Sequence, residues 1–146
     1  SRRRHTIFLY VSWARDVYKR QVQQFADFAQ RHALPTAVSF RRQMLFPADH
    51  PCFIGDVGLG INPALLKRVA DADMVLLVGG RMSENPSQAY TLFDIPVPKQ
   101  KLVHVHPDAG ELARVYRPTL ARARSNAGPN CSLVSTRSPW PPKARA

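Results

Sequence analysis

The chain has 146 residues, of which 45% are hydrophobic and 21% charged, and its formal net charge is +11. That length suits one domain with a buried core and is short for two. No apolar run reaches the roughly 18–20 residues that a membrane span needs. The apolar stretch at residues 7–13 has no small-residue cleavage site after it, so no signal peptide is expected either. Two cysteines, Cys52 and Cys131, form no CxxC pair and no His/Cys ligand spacing. Free or buried thiols and a cytoplasmic setting are expected.

The charge is unevenly spread. Residues 1–21 carry six basic side chains against one acid, residues 118–146 carry five with none, and the middle keeps only +1. Nucleic-acid binding needs a basic face on the folded domain. A small basic nucleic-acid binder therefore rests on the ends alone, and no nucleic-acid partner is expected. Residues 1–21 show no sustained period, and residues 14–21 resemble translated adaptor sequence. They read as a non-native or disordered basic arm.

From Val22 the pattern becomes regular. Val22, Phe25, Ala26 and Ala29 share one helical face, which Phe28 widens. Leu34-Pro35 ends that helix. Thr36-Ala37-Val38-Ser39-Phe40 is β-prone and reads as a strand. After a polar loop, residues 52–57 read as a weaker strand. Asn62-Pro63 then pairs a good N-cap with the residue favoured at the first helical position. Leu65, Leu66, Val69 and Ala70 supply that helix with an apolar face. Met74-Val75-Leu76-Leu77-Val78 is continuously apolar, as in a strand buried on both faces of a parallel sheet. Residues 82–100 are loop-like, and residues 101–106 form a further strand. Asp108 and Glu111 have capping-box spacing for a short helix through Val115. Helices between buried strands imply a parallel α/β sheet. Beyond Pro118 the chain is rich in Arg, Ala, Ser and Pro and reads as a disordered or frame-shifted tail.

Ligands of open parallel sheets sit outside the carboxyl ends of the strands. Three such ends are visible. Gly55-Asp56-Val57-Gly58-Leu59-Gly60 is either a phosphate-approach loop or a tight strand-to-helix turn. Gly79-Gly80-Arg81 presents an arginine fork that suits a phosphate or an adenine, or an ordinary surface ion pair. Asp108 suits a ribose hydroxyl, yet its spacing to Glu111 explains it as a cap. His104 and His106 alternate on a strand and face the same way. Two histidines fall short of a zinc ligand set, so no metal site is expected. There is no nucleophile elbow, no P-loop and no paired acid and base, so no catalytic residue is assigned.

Several strings in order carry a wider likeness. They are Phe40-Arg41-Arg42-Gln43, Phe46-Pro47, His50-Pro51, Gly55-Asp56-Val57-Gly58-Leu59-Gly60, Tyr90-Thr91-Leu92-Phe93-Asp94-Ile95-Pro96 and His104-Val105-His106-Pro107-Asp108-Ala109-Gly110-Glu111-Leu112. Together, residues 22–117 resemble the central domain of thiamine-diphosphate-dependent enzymes of the acetolactate-synthase type. The resemblance implies a six-stranded Rossmann-like parallel sheet with flanking helices, here incomplete at both ends. It implies a fragment of a carboligase or decarboxylase of 2-oxo acids, with no catalysis by the fragment itself. Its partners would be the pyrimidine-binding and pyrophosphate-binding domains of a parent chain, itself a homodimer or homotetramer. Thiamine diphosphate and Mg²⁺ would bind between those outer domains, at sites outside this chain. FAD or ADP is the ligand class implied for the central domain itself. The positions matching its contacts are Gly58, Leu59, Gly79, Gly80, Arg81 and Asp108. Gly60, Ser83, Asn85 and His106 stand where the family places other polar groups. The alternative is a stand-alone Rossmann-like module binding FAD, ADP or NAD.

Overall fold

A computed structural model describes residues 7–11, 19–123 and 134–135. Among them, seven strands form one sheet: β1 (Ile7–Val11), β2 (Thr36–Ser39), β3 (Phe53–Val57), β4 (Met74–Val78), β5 (Lys101–His106), β6 (Leu120–Ala123) and β7 (Val134–Ser135). Their spatial order is β3-β2-β1-β4-β5-β6-β7. All neighbours are parallel except β6 and β7. Two helices, α1 (Lys19–Arg31) and α2 (Pro63–Ala70), flank it. The architecture is therefore the expected α/β sheet, with the strand order of a doubly wound fold.

The continuously apolar β4 shows why both faces need cover. Val75 and Leu77, each 1% exposed, join the cluster that holds Leu65 and Val69 of α2. Leu76 and Val78 turn the other way and pack against the cluster of Ala26 and Ala29 of α1, Val38 and Phe46. Fully burying a side chain such as Leu77 contributes about 1.5–3 kcal/mol. On α1 the buried stripe is made of alanines, which let the helix lie close to the sheet. Phe25 borders it and meets Phe46 edge-on at 6.3 Å. Phe28 falls off this stripe: it is 42% exposed and rests on His32, one turn along, rather than widening the buried face.

Four boundaries differ from expectation. Residues 7–11 are not a loose arm but β1, at the middle of the sheet between β2 and β4. The sheet therefore has its first strand, and its edges are β3 and β7. Helix α1 starts at Lys19, before Val22. Leu120–Ala123, placed in the tail by its composition, forms β6 on β5. The helix expected through Val115 is a single three-residue 3₁₀ turn, Ala109–Glu111, because Asp108 satisfies the backbone of Gly110 and no longer ladder follows. The remaining residues of both ends lie outside those described. No helix among the described residues is long and apolar enough to cross a membrane.

The two helix ends follow their local chemistry. Asn62 Oδ1 accepts the Ala64 N–H at 2.9 Å, and Pro63 opens α2. At the end of α1, Ala33 takes a left-handed φ of 49°, while Leu34 N–H reaches Ala29 O at 2.8 Å and Ala33 N–H reaches Gln30 O at 3.1 Å. That is a Schellman closure with alanine where glycine is usual. A left-handed alanine costs about 1–2 kcal/mol. Ala33→Gly should therefore raise unfolding stability by about 1 kcal/mol, measured by urea denaturation.

Candidate functional site

The strand order reverses between β1 and β4. In a doubly wound sheet the crevice outside the carboxyl ends at that reversal is where ligands bind. The turns that follow β3, β4 and β5 all lie along this edge; they hold Gly58, Leu59, Gly79, Gly80, Arg81 and Asp108, while His104 and His106 lie on β5 itself.

The turn after β3 has two separate needs for glycine. A Cβ on Gly58 would sit 2.7 Å from Phe40 Cβ and 2.8 Å from a Phe40 ring carbon, so contact with Phe40 alone demands glycine there. Gly60 has φ +74° with open space around it, so backbone shape demands the second. Leu59, between them, is 67% exposed. The Gly58 carbonyl accepts a hydrogen bond from Gln88 Nε2 at 3.0 Å. Gln88 was not foreseen, since a lone glutamine thirty residues away in a proline-bearing loop carries no sequence signal.

The loop that delivers Gln88 is tightly wound. Gln88, Ala89 and Tyr90 all have left-handed φ, 52°, 55° and 62°. Ser87, fully buried, offsets that cost: its Oγ donates to Ser83 O at 2.8 Å and accepts the Tyr90 N–H at 3.0 Å. Leu92 N–H then bonds Ser87 O, and Ala89 N–H bonds Glu84 O. Gly58 and Gly80 terminate strands three positions apart, roughly 14 Å at ordinary strand spacing. The loop spans that distance and ties the two turns together.

After β4, Gly79 turns with φ 71°, and its N–H bonds Val105 O at 2.7 Å. The Gly80 carbonyl meets His104 Nε2 at 2.8 Å. A carbonyl only accepts, so Nε2 carries the proton. His104 is 4% exposed. Burial holds it below the ordinary imidazole value; the Gly80 bond opposes this, His106 lowers it further and Glu111 raises it least. Arg81 leaves the turn with its side chain 64% exposed and reaches Glu111 at 3.5 Å; Arg114 holds the same carboxylate at 3.0 Å. These three line a shallow depression with His104, Leu77, Leu102 and Tyr116.

Asp108, after β5, caps the 3₁₀ turn: its Oδ1 accepts the Gly110 N–H at 2.8 Å, and its own N–H donates to His106 Nδ1 at 3.0 Å. The histidine rings lie 5.9 Å apart. No group of three or more His, Cys, Asp or Glu side chains among the described residues is placed to hold a metal ion.

Gly58→Ala forces a shift of backbone or of the Phe40 ring and should cost about 1–3 kcal/mol, partly recovered by adding Phe40→Leu, as read by thermal unfolding. His104 binds protons more weakly folded than unfolded, so its share of stability is complete above the unfolded pKa and is lost as pH falls. Wild-type stability should fall as pH drops below the ordinary imidazole value, and His104→Gln should flatten that slope in urea titrations.

Comparison with known proteins places this geometry. Residues 15–127 match the family described as thiamine pyrophosphate enzyme, central domain. The chain is 29% identical over 96 residues to a sulfoacetaldehyde acetyltransferase of Alcaligenes xylosoxydans xylosoxydans, covering 66% of this chain and 16% of that protein. It is 25% identical over 97 residues to a probable acetolactate synthase large subunit of Methanocaldococcus jannaschii, covering 66% and 15%. It is 24% identical over 95 residues to the acetolactate synthase isozyme 1 large subunit of Escherichia coli, covering 65% and 16%. The chain thus spans about a sixth of the length of the curated relatives it matches. With the matched segment running from the approach to α1 to just beyond β6, the chain belongs to the thiamine pyrophosphate enzyme family and represents its central domain.

Proposed function

We propose that this chain is the central, scaffolding part of a cytoplasmic thiamine-diphosphate-dependent carboligase or decarboxylase of 2-oxo acids, and that its strand-end crevice holds a flavin or adenine nucleotide. The observation that carries the nucleotide part is the Gly79-Gly80-Arg81 turn at the strand-order reversal, with an exposed guanidinium at its tip. An exposed ion pair contributes no more than about 1 kcal/mol. Arg81 can therefore exchange Glu111 for a phosphate at little cost, and the fork geometry of arginine suits that oxyanion. Gly58 and Leu59 would border the far end of the ligand, and Asp108 has a second carboxylate oxygen for a ribose hydroxyl. Ser83, Asn85, Gly60 and His106 offer fewer charged contacts than the family pattern, which favours a weakly held ligand.

The described residues do not fit the metal-diphosphate half of the chemistry. They contain no carboxylate cluster for Mg²⁺. Thiamine diphosphate would supply the carbanion-stabilising step when bound elsewhere in a longer parent, between pyrimidine-binding and pyrophosphate-binding domains in a homodimer or homotetramer. This chain's share is then position and interface, not bond making.

Calorimetry of the whole chain with FAD, ADP and NAD tests the ligand. Binding of FAD or ADP is expected, weakened about tenfold by Arg81→Ala, the worth of one charge-assisted contact. No heat with any of the three sinks the nucleotide reading. Sequencing the DNA on both sides of this coding segment tests the parent, with a glutamate-bearing domain expected upstream and a Gly-Asp-Gly segment downstream.

A further inference from the structure

Two side chains, Gln88 in the loop after β4 and His104 on β5, perform the same task at the two ends of the crevice. Gln88 Nε2 donates to Gly58 O at 3.0 Å, and His104 Nε2 donates to Gly80 O at 2.8 Å. Each reaches its glycine from a distant part of the chain, thirty and twenty-four residues away. In a trans peptide the carbonyl and the next residue's N–H point in opposite directions. Pinning the Gly58 carbonyl therefore turns the Leu59 N–H away from Gln88. Pinning the Gly80 carbonyl onto buried His104 turns the Arg81 N–H away from the core. Among the described residues, neither N–H has a hydrogen-bond partner. The Arg81 guanidinium leaves from the same residue and adds a full charge.

We propose that Gln88 and His104 are positioning residues: through the Gly58 and Gly80 peptides they aim the Leu59 and Arg81 N–H groups at the phosphates of a bound nucleotide. This rests on the nucleotide reading above. Neither side chain touches the ligand. Each fixes in advance a donor that would otherwise lose torsional freedom on binding, which is how preorganisation raises affinity. The tautomer matters: His104 acts as a neutral donor through Nε2, a role the amide of glutamine can reproduce and a phenyl ring cannot. Gln88 owes its reach to the left-handed turn of residues 88–90, anchored by buried Ser87.

The test is an NMR titration of the full chain with ADP and, separately, with adenosine, for wild type, Gln88→Met, His104→Phe and His104→Gln. Loss of one fixed donor should weaken ADP about five- to tenfold in Gln88→Met and in His104→Phe. Adenosine, lacking phosphates, should bind all four proteins alike. His104→Gln should restore most of the ADP affinity. A merely structural role would weaken both ligands together and would overturn the proposal, as would unchanged ADP binding in the two donor-less variants. If His104→Phe fails to fold, Gln88→Met, at a half-buried loop position, still decides. Failure of wild type to bind ADP overturns this proposal, and the nucleotide reading falls with it if FAD and NAD give no heat either. Binding by wild type with unaltered variants overturns this proposal alone.

Discussion

β4 sits inside the sheet with β1 on one side and β5 on the other, and its side chains point into two different clusters. A strand paired on both sides and apolar on both faces has no exit to water. The chain must bring cover to each face, and the parallel pairing obliges it to do so with crossovers. One face receives α1. The other receives α2 and the segment carrying Phe93 and Tyr116. Once the crossovers change face between β3 and β4, the strand order reverses beside β1, and a crevice opens at the carboxyl edge. The candidate site is thus a consequence of how β4 is buried.

Much of this was legible from local chemistry. The five-residue apolar run of β4 could be little else, and Asn62-Pro63 marked the start of α2 with the bond that was observed. What misled was composition. Ile7–Val11 is a five-residue apolar run like β4, but it is set among arginines, so the charge around it masked the strand. Leu120–Ala123 offers two alanines to the core, and its place comes from pairing with β5 rather than from its own hydrophobicity. Asp108 and Glu111 kept capping-box spacing, yet Glu111 is spent on Arg81 and Arg114 instead of the backbone. A carboxylate flanked by two guanidiniums gains more from them than from a neutral N–H.

The glycines show why motif reading and structural cause can part. Gly58 matched a ligand-contact position, and the structure supplies an independent reason for it in the ring of Phe40. These reasons are compatible: a residue without a side chain leaves one side of the backbone for Phe40 and the other for a ligand. The bonds from Gln88 and His104 add what spacing could not show, because a hydrogen bond between residues twenty-four or thirty positions apart exists only once the sheet has formed.

The charge distribution bears on how such a site would work. Arg81 and Arg114 share one carboxylate, leaving a local excess of one positive charge over a floor of buried His104, Leu77 and Leu102. A buried cation beneath them would raise anion affinity further, but a charged His104 would have to be desolvated and held beside two arginines. Burial keeps it neutral instead. A neutral imidazole still donates from Nε2, so the Gly80 turn remains fixed without adding repulsion beneath Arg81. The proposed arrangement would separate two jobs that a single charged group would mix: geometry would come from the uncharged donors of half-buried Gln88 and buried His104, and attraction from exposed guanidiniums at the rim. Long-range attraction at the rim is screened by salt, whereas the interior bonds are not. Oriented N–H groups would therefore retain their contribution under conditions where the arginines lose much of theirs.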